Sequence, residues 1–98
     1  MANWKRQPQE RKGNYFFSGQ FFATRGVATE LTADEILFIH QDIKAFVKEQ
    51  NGVDYLQVYI DEKGRKLYLI DQLDKAQVES GEYAPMDNHC TLLWPSEY

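Results

Sequence analysis

The feature that most constrains the fold is one long amphipathic helix whose two ends are both marked in the sequence. Thr32 and Glu35 have the spacing of a capping box, in which the threonine oxygen accepts a backbone hydrogen bond and the glutamate reaches back to the cap. Asn51 and Gly52 supply the stop signal. We therefore predict a helix of about 18 residues, from about position 33 to 50. Apolar residues three or four positions apart predict its buried face: Ile36, Ile39, Ile43, Phe46 and Val47.

A β-hairpin should follow this helix. Residues 53–60 and 66–73 both alternate in polarity, as half-buried strands do, and the turn at 61–64 ends in Gly64. A last short strand is predicted at 90–94, because Pro95 cannot continue it. The acidic stretch 74–88 contains Gly81 and Pro85 and is typical of an irregular connection.

The aromatic stretch at 15–24 leaves two alternatives open. It suits a tight hairpin, or one bent strand with Gly19 at a bulge. Before it, residues 1–13 are polar and basic, contain Pro8, and predict an arm outside the fold. The expected organisation is therefore a basic N-terminal arm at 1–13 and a single domain at 14–98.

The order of these elements predicts the fold class. Strands and one long helix in this order are typical of an α+β domain, with an antiparallel sheet of about four to five strands and one helix packed on one face. The other sheet face should be partly wet. The tyrosines at 55, 59 and 68 are candidates to line that face.

Length, composition and charge limit the number of domains, the cellular compartment and the kind of partner to expect. With 98 residues the chain has room for one core, and it contains no apolar run long enough to cross a membrane. Because the basic N-terminus lacks an apolar stretch, we expect no signal peptide. A single cysteine cannot form an internal disulfide, so we expect a cytoplasmic protein with no membrane partner. The net charge of −4 is uneven: residues 1–13 carry +3 and residues 14–98 carry −7. The acidic body should attract basic surfaces.

The sequence offers little support for catalysis or metal binding. His40 and His89 are the two histidines, and neither belongs to a paired zinc-ligand motif. His89 and Cys90 are adjacent in a predicted strand and should point to opposite faces, which favours a buried structural cysteine over a nucleophile. A hydrolase or transferase would need a pocket where a histidine meets a second polar group. We expect no enzymatic activity, no metal and no cofactor.

Three short motifs resemble a known family. They are Thr-Arg-Gly-Val at 24–27, Leu-Tyr-Leu-Ile-Asp at 67–71, and the ending from Thr-Leu-Leu at 91–93 to Glu-Tyr at 97–98. Together they resemble a small bacterial domain of unknown function carried largely by phages, prophages and plasmids, over most of residues 16–98. That family commonly has Asn-Asp-Pro and Glu-His-Asp-Phe before the hairpin, where this chain has Asn-Gly-Val-Asp-Tyr at 51–55. Any role of that histidine does not carry over.

The resemblance implies a setting in which small acidic proteins inhibit host defence, as anti-CRISPR and anti-restriction proteins do. The residues are compatible with this, because acidic surfaces with exposed tyrosines can cover a basic groove on a partner. We therefore expect an inhibitor that binds a host protein, such as a basic nucleic-acid-binding effector. Its predicted contact residues are Asp71, Asp74, Glu79, Glu82, Asp87, Tyr55, Tyr59 and Tyr68.

An alternative function is nucleic-acid binding by the N-terminal arm, which mixes aromatic and basic groups as single-strand binders do. The residues that would carry it are Trp4, Lys5, Arg6, Arg11 and Lys12. The acidic body opposes this function. The exposed tyrosines and the edge strands of an open sheet leave homodimer formation as a further option.

Overall fold

One mixed five-stranded sheet with helices packed against it makes up the fold. The computed structural model describes residues 3–98. Its elements are β1 (Lys5–Arg6), β2 (Gln20–Ala23), α1 (Arg25–Glu30), α2 (Ala33–Gln50), β3 (Leu56–Ile60), β4 (Lys66–Asp71), α3 (Lys75–Ser80) and β5 (His89–Leu93). Two 3-10 turns lie at Pro85–Asp87 and Pro95–Glu97. Among these helices, none has the length and apolar character needed to span a membrane.

The predicted α+β class is confirmed. The strand order is β1-β3-β4-β5-β2, and every neighbouring pair is antiparallel except β2 with β5, which is parallel. The sheet is thus mostly antiparallel rather than wholly so. The parallel pair arises because β2 and β5 are separated by most of the chain, so no tight turn dictates their relative direction.

Helix α2 has the predicted bounds. Thr32 and Glu35 form the reciprocal capping box, and the helix ends at Asn51, whose φ of 53° and ψ of 49° place it in the left-handed region. The side chains of Ile39, Ile43 and Val47 are buried in the core. The remaining two residues of the predicted face, Ile36 and Phe46, pack against the core from its margin.

The hairpin register divides the sheet into two unlike faces. Tyr59 pairs with Leu67 and is buried on the face that meets α2, whereas Val58 pairs with Tyr68 on the opposite face. We call this opposite side the open face, because most of its large side chains, unlike Leu93, are not fully buried. Its members are Phe22, Leu56, Val58, Ile60, Tyr68 and Ile70.

The aromatic stretch at 15–24 forms neither a hairpin nor one continuous strand. Tyr15 makes an isolated bridge to Val53, and only Gln20–Ala23 is a strand. Between them Phe17 is buried with a φ of 48°, an uncommon conformation for a residue with a side chain. Each of the two alternatives assumed a continuous ladder, and this turn at Phe17 interrupts it.

The expectation that residues 1–13 lie outside the fold is wrong for its first half. Lys5–Arg6 pairs with β3 as an edge strand, and Trp4 is 3% exposed. The Trp4 indole donates a hydrogen bond of 2.7 Å to the buried Glu35 carboxylate. A two-residue edge strand made of polar residues has no apolar alternation, so the sequence pattern does not reveal it. Met1 and Ala2 of the predicted arm lie outside the described residues.

Two short helices were also not predicted. The Thr24 side chain caps α1, which buries Val27 in the core. In the stretch predicted as an irregular connection, the Asp74 side chain caps α3, and Gly81 ends it with a φ of 74°. Both helices are six residues long, too short for a periodic apolar pattern to develop.

Replacing Ile43 by Asp should unfold the domain. The side chain is fully buried between α2 and the sheet, and an unpaired buried charge costs several kcal/mol against a total stability of about 5–15 kcal/mol. Circular dichroism melting would test this, with Ala45→Asp on the exposed side of the same helix as the control. An Ile43→Asp variant that melts like the parent would contradict the packing described above.

Trp4→Ala should destabilise the domain by about 3–5 kcal/mol, as removal of a buried aromatic ring usually does. Trp4→Phe keeps a ring but removes the indole donor from Glu35, so we expect an intermediate loss of about 1–3 kcal/mol. Chemical denaturation would measure both values. Lys5→Ala is the neighbouring control, and equal midpoints for all variants would mean that the N-terminus is not part of the fold.

Candidate protein-binding surface

Two of the predicted contact residues are buried and cannot touch a partner. Tyr59 is fully buried, and its hydroxyl donates a 2.7 Å hydrogen bond to Asp42 on α2. Arg6 donates to the same carboxylate at 2.9 Å and lies over the Phe46 ring. Burial and the Asp42 carboxylate both raise the pKa of Tyr59. This group therefore joins β1, β3 and α2, and Tyr59 is a structural residue.

Asp71 is the second buried contact residue, at 3% exposed. Its carboxylate accepts a 2.8 Å hydrogen bond from the backbone N–H of Phe17, and the Lys44 ammonium donates to the Phe17 carbonyl at 2.8 Å. Asp71 on β4 and Lys44 on α2 thus fix the backbone of Phe17 in its left-handed conformation. The alternation of β4 places Asp71 with Leu69 on the helix side, so it does not belong to the acidic surface.

Burial raises the pKa of Asp71, and backbone N–H donors led by that of Phe17 oppose the shift without cancelling it. An acid whose pKa is higher in the folded state binds its proton more tightly there. Asp71 therefore reduces the stability of the domain as pH rises from its unfolded pKa through its folded pKa. The second carboxylate oxygen has no hydrogen-bond partner within residues 3–98.

Asp71→Asn should remove this contribution. The amide keeps an oxygen for the Phe17 N–H and cannot ionise, so the stability of this variant relative to the parent should increase from acidic to neutral pH. Denaturant unfolding at several pH values would measure the difference. Asp71→Ala cannot ionise either, so its stability relative to the parent should show the same trend with pH, but it should lie about 1–3 kcal/mol below that of Asp71→Asn because the Phe17 N–H is left unpaired. A pH-independent difference between the Asp71→Asn variant and the parent would contradict the assignment.

The predicted tyrosines do not share one surface. Tyr68 lies on the open face in an edge contact with Tyr98, their ring centroids 6.0 Å apart. Tyr55 precedes β3, is exposed, and packs against Tyr15 at 6.0 Å. Strand register separates residues that looked equivalent in the sequence.

The residues predicted for nucleic-acid binding are also divided. The indole of Trp4 is buried and Arg6 is paired with Asp42, so neither is available to stack on bases or bind phosphate. Lys5, Arg11 and Lys12 are exposed. The aromatic residue of this predicted set is thus unavailable for stacking, which weakens the case for a single-strand binding site.

The other predicted acids gather at the α3–β5 connection. Glu79, Glu82 and Asp87 are exposed, while Asp74 is partly buried and serves as the helix cap. Asp87 also accepts a hydrogen bond from the Ala84 N–H. We call residues 74–88 the acidic corner. It holds four carboxylates and one lysine, so it accounts for most of the net charge of the chain.

The acidic corner also exposes apolar side chains that were not predicted as contact residues. Val78, Tyr83 and Met86 are all exposed, Tyr83 at 43% and Met86 at 76%. Val78 and Tyr83 line a cleft of about 520 Å³ between the acidic corner and the start of β2. Apolar residues within a polar connection were the available signal. The cleft is lined by Ser18, Gly19, Gln20, Leu73, Val78, Tyr83, Ala84, Pro85 and Asn88.

Close backbone packing holds the two sides of this cleft together. A Cβ at Gly19 would lie 1.9 Å from the Asn88 carbonyl oxygen, so only glycine fits there. The Gln20 N–H donates to that same oxygen at 3.1 Å. The cleft is therefore bounded on one side by the sheet, and the exposed side chains project from its other side.

The histidines and the cysteine have separate surroundings. His40 stacks on Phe21 with 4.4 Å between ring centroids, and burial followed by the Lys44 charge lowers its pKa. The Nδ1 atom of His89 lies 3.2 Å from the Met86 carbonyl oxygen. Burial, with a smaller effect of Asp71, raises the pKa of Cys90 to about 12. Across residues 3–98, no cluster of three or more His, Cys, Asp or Glu side chains could hold a metal ion.

These features define a small α+β domain with an acidic corner that also exposes apolar side chains. Searches of protein-family models, curated proteins and solved structures find no match to the chain.

Proposed function

We propose that the protein is a protein-binding module whose acidic corner contacts a cationic surface on its partner. The observation that carries the proposal is the mixture of exposed acidic and exposed apolar side chains on one projecting segment. Tyr83 and Met86 are side-chain types enriched in protein interfaces, and Glu79, Glu82 and Asp87 surround them. Apolar anchors supply affinity, and the charges around them supply orientation.

The exposed acids of the corner support a mechanism in which electrostatic attraction to the partner precedes direct contact. Exposed carboxylates attract a basic surface over a range set by the Debye length, about 8 Å at physiological ionic strength. They contribute little to the stability of the fold, because exposed charges are well solvated. The one ion pair within the corner, Lys75 with Glu79 at 3.9 Å, lies among exposed side chains and leaves the segment strongly negative.

We further propose that the partner is a host-defence protein with a basic nucleic-acid-binding groove, which the acidic corner occludes. Resemblance to a family carried by phages, prophages and plasmids supports this setting, in which anti-CRISPR and anti-restriction inhibitors occur. An acidic surface matches a groove that otherwise binds phosphates. Binding would block access of nucleic acid to that groove.

Neutralising the corner should slow association. After affinity purification has identified the partner, stopped-flow kinetics should show about a tenfold lower association rate for Glu79→Gln/Glu82→Gln/Asp87→Asn at low salt. The difference from the parent should shrink as salt increases. Asp71 and Asp74 are left intact, because one is buried and the other caps α3.

The matched control removes the same number of exposed acids elsewhere, as Glu30→Gln/Asp34→Asn/Glu49→Gln. It should associate faster than the corner variant. Tyr83→Ala should instead increase the dissociation rate, since it removes a contact formed only after docking. Equal association rates for the corner variant and the parent at low salt would refute the proposal, as would salt-dependent binding to DNA or RNA with no protein partner.

A further inference from the structure

Apart from the C-terminal 3-10 turn and Tyr98, which pack beside Tyr68, no helix within residues 3–98 covers the apolar side chains of the open face. The register places Leu56 opposite Ile70 and Val58 opposite Tyr68, so these side chains form contiguous rows. The buried residues of α1 and α2 belong to the core on the other side of the sheet, and α3 has no buried residue. Contiguous apolar surface on a small domain is typical of an interaction site.

A groove of about 440 Å³ runs along this face beside the N-terminal segment. Leu56, Val58, Ile60 and Tyr68 line it, and residues 7–10 form its wall. Its two ends differ in charge. Lys66 lies at the hairpin end, whereas Glu10 and Asp54 lie at the other.

The same separation of charge extends beyond the groove. The hairpin end of the sheet is net positive, with Lys5, Arg25, Lys63, Arg65 and Lys66 against Asp61, Glu62 and Glu97. The opposite end is net negative, with Glu10, Asp54 and the acidic corner against Arg11 and Lys12. The sheet therefore carries a charge dipole along its strands.

We propose that the open face binds a second copy of this chain, in a face-to-face dimer whose two-fold axis lies between the sheets and perpendicular to the strands. That axis reverses the strand direction, so the positive end of each copy lies over the negative end of the other. Sheets pack in this manner about 10 Å apart, with the apolar rows of both copies meeting between them. A two-fold interface requires one patch to be complementary to itself, and a face with opposite charges at its ends meets this requirement.

The charge pattern favours a second copy over a partner of uniform charge. A basic partner would be repelled at the hairpin end, and an acidic partner at the other end. The dimer shares the charges of the acidic corner with the proposed function, but its apolar contacts lie on the face of the sheet, so a substitution at Val58 tests the dimer without changing the corner.

Sedimentation velocity from micromolar to millimolar concentration tests the dimer. The parent should shift from one to two chain masses, and Val58→Asp, which places a charge at the centre of the open face, should weaken dimerisation at least about tenfold. Ala45→Asp on the exposed side of α2 is the control and should dimerise like the parent. Melting curves of each variant establish that it is folded.

A charge-exchange pair tests the orientation without changing any apolar residue. Lys5→Glu/Lys66→Glu makes both ends negative, and Glu10→Lys/Asp54→Lys makes both ends positive. Each variant alone should be monomeric at concentrations where the parent dimerises, and an equal mixture of the two should form a heterodimer.

Three results would overturn the proposal: a parent chain that stays monomeric at millimolar concentration, a dimer that Val58→Asp leaves intact, or charge variants that do not recover association when mixed. A dimer broken instead by Leu37→Asp/Phe38→Asp would assign the interface to the exposed apolar pair on α2.

Discussion

The packing of the α2 apolar stripe against one face of the sheet is the interaction on which the rest of the structure depends. This stripe buries three side chains in the core, those of Ile39, Ile43 and Val47. It covers only one side of the sheet. Polar bonds then fix the helix at separate points, through Glu35 to Trp4 and through Asp42 to Tyr59. Such charge-assisted bonds add geometric precision to an otherwise non-directional contact. A domain built this way has one sheet face buried against α2 and an opposite face whose apolar side chains are largely accessible.

The elements that the sequence predicts correctly are those specified by residues close together along the chain. The bounds of α2 were correct because Thr32, Glu35 and Asn51 act on their immediate neighbours. The β3–β4 hairpin was also visible, since its strands are adjacent along the chain. The pairing of β1 with β3 and the parallel pairing of β2 with β5 depend on residues far apart, and no short pattern marks either contact.

The candidate surface was predicted only in part, for a related reason. Glu79, Glu82 and Asp87 are exposed as expected, because acids in a polar connection are normally solvated. Asp71 and Tyr59 were placed wrongly because a strand's alternation shows which residues share a face, and not which face meets the helix. Exposed Val78, Tyr83 and Met86 within the same connection were the stronger indication of a binding surface.

The parallel pairing of β2 with β5 has a consequence for how the protein is made. Positions 20–23 hydrogen bond with positions 89–92, so β2 has no partner strand until β5 has been synthesised. Contacts of such long sequence separation slow folding, since the entropy of closing the loop is lost before the contact forms. During translation, residues 20–23, including Phe22, would therefore remain unpaired until residues 89–92 have been synthesised. The domain should therefore complete its sheet only late in synthesis, and a chain truncated before position 89 would retain an aggregation-prone strand.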